Sequence, residues 1–262
     1  MEKRKELFTN KDLKKLIIPL IIEQLLTVTV GLADSIMISS VGEAAVSGVS
    51  LVDSIMILLI NMFSALATGG AVVAGQYLGQ KKHVMACKTA DQLILFISAL
   101  AAVIMAGIYA MRGFILHGVF GAIEPAVMHS AEVYLLIVTA SIPFLAVYNG
   151  CAALFRTMGN SKTAMQMSLF MNAVNIIGNA VLIYGVGMGV EGAAIPTLAS
   201  RVIAAAVILV LLKNRNQAVH ISRNFHFKFK GFLVSRILKI GVPNGVENSM
   251  FQLGKILVLS LV

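Results

Sequence analysis

Seven long apolar stretches constrain this sequence more than any other feature. The hydrocarbon core of a bilayer is about 30 Å thick, so a helix that crosses it needs roughly 20 apolar residues. Each stretch meets that length, and none shows the alternation of period two that marks a barrel strand. The stretches cover residues 16–38, 51–76, 91–111, 131–154, 164–184, 190–212 and 240–262.

The composition excludes an ordinary soluble domain. Hydrophobic residues make up 58% of the chain and charged residues only 13%, and the mean hydropathy is +0.88. A soluble domain needs far less apolar material to build one core. Because backbone groups in lipid must be satisfied within the spanning element itself, the stretches are predicted to be helices.

Two segments share the order Lys, Pro, Glu with the same spacing. The first is Lys15, Pro19 and Glu23, and the second, displaced by 224 residues, is Lys239, Pro243 and Glu247. Each segment opens an apolar stretch after a basic region, which indicates an internal repeat of six helices. We therefore predict an all-α polytopic membrane protein, with a six-helix transmembrane lobe and the first helix of a second, repeated lobe.

The predicted boundaries follow from this repeat. Residues 1–212 form the N-terminal six-helix lobe, residues 213–239 form a basic cytoplasmic linker, and residues 240–262 form the first helix of the C-terminal lobe. Residue 262 lies inside the seventh apolar stretch. We therefore expect a truncated sequence, whose partner is the missing C-terminal lobe of the same chain. A protein with seven helices is the alternative.

Lysine and arginine are concentrated in alternate loops. Residues 1–15 carry six of them and residues 213–239 carry seven, whereas residues 39–50 and 185–189 carry none. The net charge of +9 is therefore a topology signal and not a sign of nucleic-acid binding. The positive-inside rule predicts a multi-pass protein of the plasma (cytoplasmic) membrane with a cytoplasmic N-terminus.

Polar side chains inside the first stretch are the leading functional candidates. Ionisable groups at membrane depth are costly and mark function by default. Glu23, Thr27 and Asp34 follow one another at i, i+4 and i+11, which is close to whole helical turns and places them on one helix face. A simple role as an interfacial helix cap remains the alternative for Asp34.

The fifth stretch contains a line of amides. Asn172, Asn175 and Asn179 are spaced at i, i+3 and i+7, and an amide can both donate and accept hydrogen bonds. The line could coordinate a cation or hold helices together. Arg201 in the sixth stretch either extends toward the membrane interface or pairs with an acid, and the sequence does not decide between these positions.

Several segments, in this order, resemble the multidrug and toxic compound extrusion (MATE) transporters. The matching features are Pro19 followed by Asp34-Ser35-Ile36-Met37, Gly75-Gln76-Tyr77-Leu78-Gly79-Gln80, Leu154-Phe155-Arg156-Thr157-Met158-Gly159-Asn160, the Asn-rich fifth stretch, and Gly189-Val190-Glu191-Gly192-Ala193-Ala194. The resemblance implies a twelve-helix, V-shaped antiporter of two six-helix lobes. It also implies export of cationic or amphipathic organic compounds in exchange for inward H⁺ or Na⁺.

The resemblance also implies a polar site in the first lobe for cation and substrate. Its matching residues here are Asp34, Tyr134, Asn175, Asn179 and Thr197. Na⁺ would be held at Asp34, Asn175 and Asn179. Some relatives carry Asp at the position of Asn179. Because this chain has Asn there, the implied set contains one carboxylate rather than two. The coupling ion, H⁺ or Na⁺, is therefore left open, and no other cofactor is implied.

Secondary active antiport of drug-like small molecules is the leading functional hypothesis. A lipid-linked oligosaccharide flippase of the same superfamily is one alternative, although such a cavity is expected to carry several cationic residues. An integral-membrane enzyme is the alternative from a different class. The sequence shows no paired Asp-rich motif, no His cluster and no Ser/Lys or Ser/His arrangement, so we expect the protein not to be an enzyme.

Overall fold

The regular structure of the chain is helical. The computed structural model describes residues 10–121, 123–222 and 228–260, and that part of the chain contains no strand. A short helical turn and a π-turn connect the third and fourth helices, and a second π-turn follows the sixth. The main helices are α1 (Asn10–Ser39), α2 (Glu43–Gly79), α3 (His83–Ala110), α4 (Pro125–Thr139), α5 (Ile142–Thr157), α6 (Ser161–Ala180), α7 (Glu191–Leu212) and α8 (Gly231–Ser260).

The helices confirm a polytopic membrane protein. Within the described residues, five helices are long and apolar enough to cross a membrane: α1, α2, α3, α7, and α6 with its π-turn. The pair α4 and α5 makes a sixth span if the two are counted as one bent element. These six correspond to the first six predicted spans. The seventh predicted stretch lies in α8, a helix of 30 residues that is not among the five or six.

The fourth predicted span is bent, which the sequence analysis did not anticipate. The axes of α4 and α5 differ by 49° across a break at residues 140–141. Pro143 lies in the first turn of α5, where its missing N–H group removes a hydrogen bond that a continuous helix would need. The bend brings Ser141 to the inner side of the bundle, where its side chain is fully buried.

Helix α8 begins at Gly231, nine residues before the predicted range 240–262. Its first turns bury Leu233 and Ile237, which are 2% and 0% exposed. These two residues stand at i and i+4 and so form one apolar stripe. Charged residues are interspersed with this stripe, which is why the sequence predicts a linker over this segment. The division into a lobe, a linker and a second lobe stays a prediction.

The segment between α7 and α8 is held against the start of α3. Asp91 accepts hydrogen bonds from the backbone N (3.0 Å) and Oγ (2.5 Å) of Ser222. Gln92 donates to the carbonyl oxygen of Lys228 at 2.9 Å and accepts from the backbone N of Lys230 at 2.6 Å. The described parts of this predicted linker are therefore fixed to the helical bundle.

Helix α2 is the central element of the bundle. It contacts α3, α4, α5 and α8, and glycines allow two of these approaches. A Cβ atom on Gly48 would lie 2.8 Å from the backbone N of Ala131 in α4, and one on Gly69 would lie 2.6 Å from the backbone N of Gly241 in α8. Side chains at these positions would force the helices apart.

Candidate functional site

A polar cavity of about 210 Å³ lies where α1, α2, α4, α6 and α7 meet. It contains two acids, one guanidinium, amides and hydroxyl groups inside helices that are otherwise apolar. Such groups are costly at membrane depth unless they serve a site. The cavity is lined by Thr27, Val30, Gly31, Asp34, Asp53, Tyr134, Met171, Asn172, Asn175, Thr197, Ser200 and Arg201.

A chain of hydrogen bonds connects three helices at this cavity. Asn179 Nδ2 donates to Asp34 Oδ1 at 2.7 Å and lies 3.5 Å from Asn175 Oδ1. Asn175 Nδ2 in turn donates to Thr197 Oγ1 at 3.0 Å. The structure therefore brings together four of the five residues that the sequence analysis predicted, in one connected arrangement.

Close packing of α6 against α7 makes this chain of contacts possible. A Cβ atom on Gly178 would lie 2.6 Å from Cβ of Pro196, so only glycine allows this approach. Asn175 and Asn179 are one turn apart on α6 and are 6% and 1% exposed. Buried amides need partners, and Thr197, one residue after Pro196, supplies one of them.

Tyr134, the fifth predicted residue, lies in the same cavity but binds a different acid. Its hydroxyl donates to Asp53 Oδ1 at 3.3 Å. Asp53 belongs to α2 and was not among the predicted site residues. The cavity thus contains two carboxylates, Asp34 and Asp53, where the sequence analysis expected one.

Asp53 was missed because the second span was placed too late in the chain. The predicted stretch 51–76 puts Asp53 at its edge, whereas α2 begins at Glu43 and carries the residue ten positions inside the helix. A signal for the earlier start was present. Ala45, Val49, Val52 and Met56 recur at i, i+4, i+7 and i+11, and all are buried, as expected for one helix face.

Arg201 of α7 lies in the cavity wall, which decides a question that the sequence left open. Its Nη1 donates to Ser141 Oγ at 2.7 Å, at the break between α4 and α5. In the described chain, neither Asp34 nor Asp53 lies within 4.0 Å of the guanidinium nitrogens. Arg201 is therefore directed into the bundle, beside the acids but not in a contact ion pair with them.

The predicted shared face of Glu23, Thr27 and Asp34 is divided between two locations. Thr27 and Asp34 line the cavity. Glu23 lies about 16 Å from Asp34 along the helix axis, at 1.5 Å per residue, and pairs with Arg156 of α5 at 2.6 Å. Glu23 is therefore part of a separate contact between α1 and α5.

The amide line of α6 contributes all three of its members to this region. Asn172 and Asn175 line the cavity, and Asn179, one turn after Asn175 on α6, donates a hydrogen bond to Asp34. Asn179 Oδ1 is buried and has no hydrogen-bond partner among the described residues. A buried acceptor without a donor is costly, and a cation is one way to satisfy it. Oxygen atoms of carboxylates, amides and hydroxyls are ligands that suit hard cations.

Sequence comparisons give this arrangement a family context. The MatE family model matches residues 19–181. The uncharacterized transporter YisQ of Bacillus subtilis (strain 168) is 31% identical over 247 residues, which cover 92% of this chain and 53% of YisQ. The probable multidrug resistance protein NorM of Thermotoga maritima is 24% identical over 256 residues, 94% of this chain and 53% of NorM. The chain spans about half the length of the curated relatives that it matches.

Solved structures share the fold. A MOP superfamily transporter from Pyrococcus furiosus superposes with a TM-score of 0.82 at 24% identity, over 90% of this chain and 52% of that one. An outward-facing multidrug resistance MATE family transporter superposes with a TM-score of 0.83 at 23% identity, over 95% and 56%. Since the MatE model matches more than half of the 262 residues, the chain belongs to the MatE family of multidrug and toxic compound extrusion transporters.

Proposed function

We propose that this chain forms the first lobe of a secondary active antiporter that exports cationic or amphipathic organic compounds in exchange for inward H⁺ or Na⁺. One observation carries the proposal. Asp34 stands in a polar cavity inside the membrane-spanning helices, hydrogen-bonded to Asn179 Nδ2 at 2.7 Å, while Asn179 Oδ1 has no donor within the part of the chain that the structure describes. This set of atoms supplies negative charge and a free oxygen, which are the requirements of a cation site.

Exchange follows from competition for that charge. A carboxylate in a membrane span is costly unless a proton, a metal ion or an organic cation offsets it. A coupling ion and a cationic cargo therefore stabilise the same group and exclude each other. If each ligand favours a different arrangement of the helices, movement of one drives movement of the other.

The relatives support drug-like cargo. NorM of Thermotoga maritima is named a probable multidrug resistance protein, and MepA of Staphylococcus saprophyticus, 24% identical over 86% of this chain, is named a multidrug export protein. We extend this substrate class to the present chain. A second lobe of the same polypeptide is the proposed structural partner that completes the transport path, because this chain spans 53% of the length of both YisQ and NorM.

The charge pattern supports the orientation. The Lys-rich segment at 80–83, between α2 and α3, and the basic segment at 213–230 are assigned to the cytoplasmic side, together with the N-terminus. The turns at 40–42 and 186–190 are assigned to the outer side. The plasma membrane is the proposed location, with the lipid bilayer as the solvent of the spans.

The cavity disfavours the alternatives. A flippase for lipid-linked oligosaccharides needs several cations to bind a pyrophosphate, and the lining contains one guanidinium against two carboxylates. An integral-membrane enzyme needs a catalytic constellation. No group of three or more His, Cys, Asp or Glu suited to a metal occurs in the described segments, and members of the family are transporters.

Transport by the full-length protein in proteoliposomes tests the proposal. An imposed H⁺ or Na⁺ gradient should drive accumulation of ethidium, and Asp34→Asn should abolish this accumulation while the protein still folds. Glu43→Gln, an exposed acid on α2, is the matched control and should transport normally. Counterflow of ethidium without a gradient is expected to survive in Asp34→Asn. Wild-type accumulation by Asp34→Asn would place the coupling site elsewhere.

A further inference from the structure

Three charged side chains from three helices line the same cavity: Asp34 of α1, Asp53 of α2 and Arg201 of α7. Arg201 is not among the residues that the family resemblance implies, and neither is Asp53. Each of the three groups is held by a neutral partner, respectively Asn179, Tyr134 and Ser141. None is neutralised by direct contact with another, since no N–O distance within 4.0 Å joins Arg201 to either acid in the described chain.

The three charges nevertheless act on one another. The cavity measures about 210 Å³, and at the low effective dielectric of a protein interior unit charges interact over several ångströms. With both acids ionised the sum of the charges is −1. One guanidinium offsets one carboxylate, and a single negative charge remains for a ligand.

We propose that Arg201 is a resident counterion, balanced by Asp53, which limits the cavity to one monovalent cation at a time. This inference rests on the proposed function because it concerns the same cavity. The geometry favours the role because Ser141 uses only one of the five guanidinium N–H donors and fixes the side chain at the break between α4 and α5. Arg201 therefore lies in the same cavity wall as Asp34, without a contact ion pair between the two among the described residues.

The proposal names the class of ligand. A monovalent organic cation, a proton or Na⁺ brings the sum of the charges to zero. A dication brings the sum to +1, which is unfavourable inside the bundle. One cargo ion and one coupling ion therefore compete for one net charge. Removal of Arg201 leaves a sum of −2, which accepts either a second monovalent ion or a dication.

Binding of tetraphenylphosphonium to the purified full-length protein tests the charge balance. Asp53→Asn leaves a sum of zero, so the affinity should fall about tenfold or more, the order expected for a unit charge several ångströms away. Arg201→Gln should raise the affinity by a similar factor. The double variant Asp53→Asn with Arg201→Gln restores the sum of −1 and should bind within about threefold of wild type.

Two controls separate charge from structure. Arg201→Lys keeps the charge, so its affinity for tetraphenylphosphonium should stay well below that of Arg201→Gln. Glu43→Gln removes an exposed acid from the same helix as Asp53 and should have no effect. The melting temperature of each variant reports its folding. If Arg201→Gln alone does not fold, the double variant still decides, because it buries no unbalanced charge relative to wild type.

The outcomes distinguish this inference from the proposed function. Equal or weaker binding by Arg201→Gln, or a double variant that binds no better than Asp53→Asn, overturns the counterion role. If Asp34→Asn weakens binding but Asp53→Asn and Arg201→Gln do not change it, the cavity is the cation site and only the counterion role is wrong. If Asp34→Asn has no effect on binding, the proposed site itself is wrong. Methyl viologen, a dication, should bind measurably only to Arg201→Gln.

Discussion

Asn179 Nδ2 lies 2.7 Å from Asp34 Oδ1, a contact between α6 and α1 that joins residues 145 positions apart in the sequence. The bond fixes the direction of the carboxylate, because a charged acceptor forms a stronger and shorter hydrogen bond than a neutral one. The remaining buried oxygen of Asn179 has no donor among the described residues. One amide therefore both orients the acid and offers an oxygen beside it.

Asn179→Ala should weaken cation binding without preventing folding. The change removes the donor to Asp34 and the free oxygen together, and hydrogen bonds to charged groups contribute about 1.5–3 kcal/mol. We expect the affinity of the full-length protein for tetraphenylphosphonium to fall about tenfold or more. Asn172→Ala is the matched control, since Asn172 lines the cavity on the same helix without a described hydrogen bond. Equal effects of the two changes would contradict an orienting role for Asn179.

Asn175→Ala should reduce gradient-driven transport without abolishing it. Asn175 links the amide of Asn179 to Thr197 at 3.0 Å, but it carries no charge, so its loss disturbs the arrangement and leaves the acid in place. The rate of ethidium accumulation in proteoliposomes measures the effect, with Asp34→Asn as the inactive reference. A complete loss of transport in Asn175→Ala, with normal folding, would show that Asn175 does more than assist.

The sequence alone was sufficient for the residues whose spacing repeats within one helix. Asn175 and Asn179 differ by one turn, so any helix that contains both presents them together. Asp34 was identifiable because an acid deep in an apolar stretch is rare. The contact of Asp34 with Asn179 depends on how α1 and α6 pack. Spacing within either helix carries no information on that packing. The expectation that Asp34 and Asn179 share a site therefore rested on the family resemblance alone.

The features that were missed depend on helix ends and side-chain direction. Asp53 was overlooked because the apolar stretch 51–76 is shorter than the helix that contains it, which begins at Glu43. The local sequence allows the Arg201 side chain to extend either toward the membrane interface or into the bundle. Its partner, Ser141, is brought into reach by the bend between α4 and α5. The start of α8 was misplaced because charged residues interrupt its buried stripe. For Arg201 the deciding contact, with Ser141, lies 60 residues away in the chain, whereas the early start of α2 was indicated by the spacing of apolar residues within α2 itself.

Labelling of single cysteines on intact cells should confirm the orientation. We expect an impermeant maleimide to react at Gly189→Cys and Glu43→Cys, and not at Gln80→Cys. Glu43 is a better site than the adjacent Gly42, whose φ of 139° would strain any side chain. The native cysteines Cys87 and Cys151 are buried and give the background. The opposite pattern of labelling would reverse the assigned topology.

The ion pair between Glu23 and Arg156 should stabilise the contact between α1 and α5. The two side chains are 15% and 34% exposed, and the N–O distance is 2.6 Å. Glu23→Gln leaves the guanidinium unpaired in a partly buried position, so we expect a loss of about 1–2 kcal/mol, less than for a fully buried pair. Thermal unfolding measures the loss. Glu23→Gln with Arg156→Gln should recover part of it, and purely additive losses would show that the pair contributes nothing.

A graded series of glycine substitutions should test the packing of α2 against α8. A Cβ atom at Gly69 would lie 2.6 Å from both the backbone N of Gly241 and the carbonyl oxygen of Ile237. Backbone atoms cannot rotate away as a flexible side chain can, so the two helices must separate. Gly69→Ala is therefore expected to cost about 1–3 kcal/mol. Gly241→Ala meets its nearest atom at 3.1 Å and should cost less.

Gly107→Ala supplies the control for this series. Gly107 lies in α3 with no atom within 4 Å of the added Cβ, so the change brings only the gain in helix propensity, about 0.5–1 kcal/mol. The melting temperatures should therefore rank Gly107→Ala above wild type, wild type above Gly241→Ala, and Gly69→Ala lowest. A Gly69→Ala protein as stable as wild type would mean that α8 is not held against α2 at this distance. The contact that holds α8 against α2 would then lie elsewhere along α8.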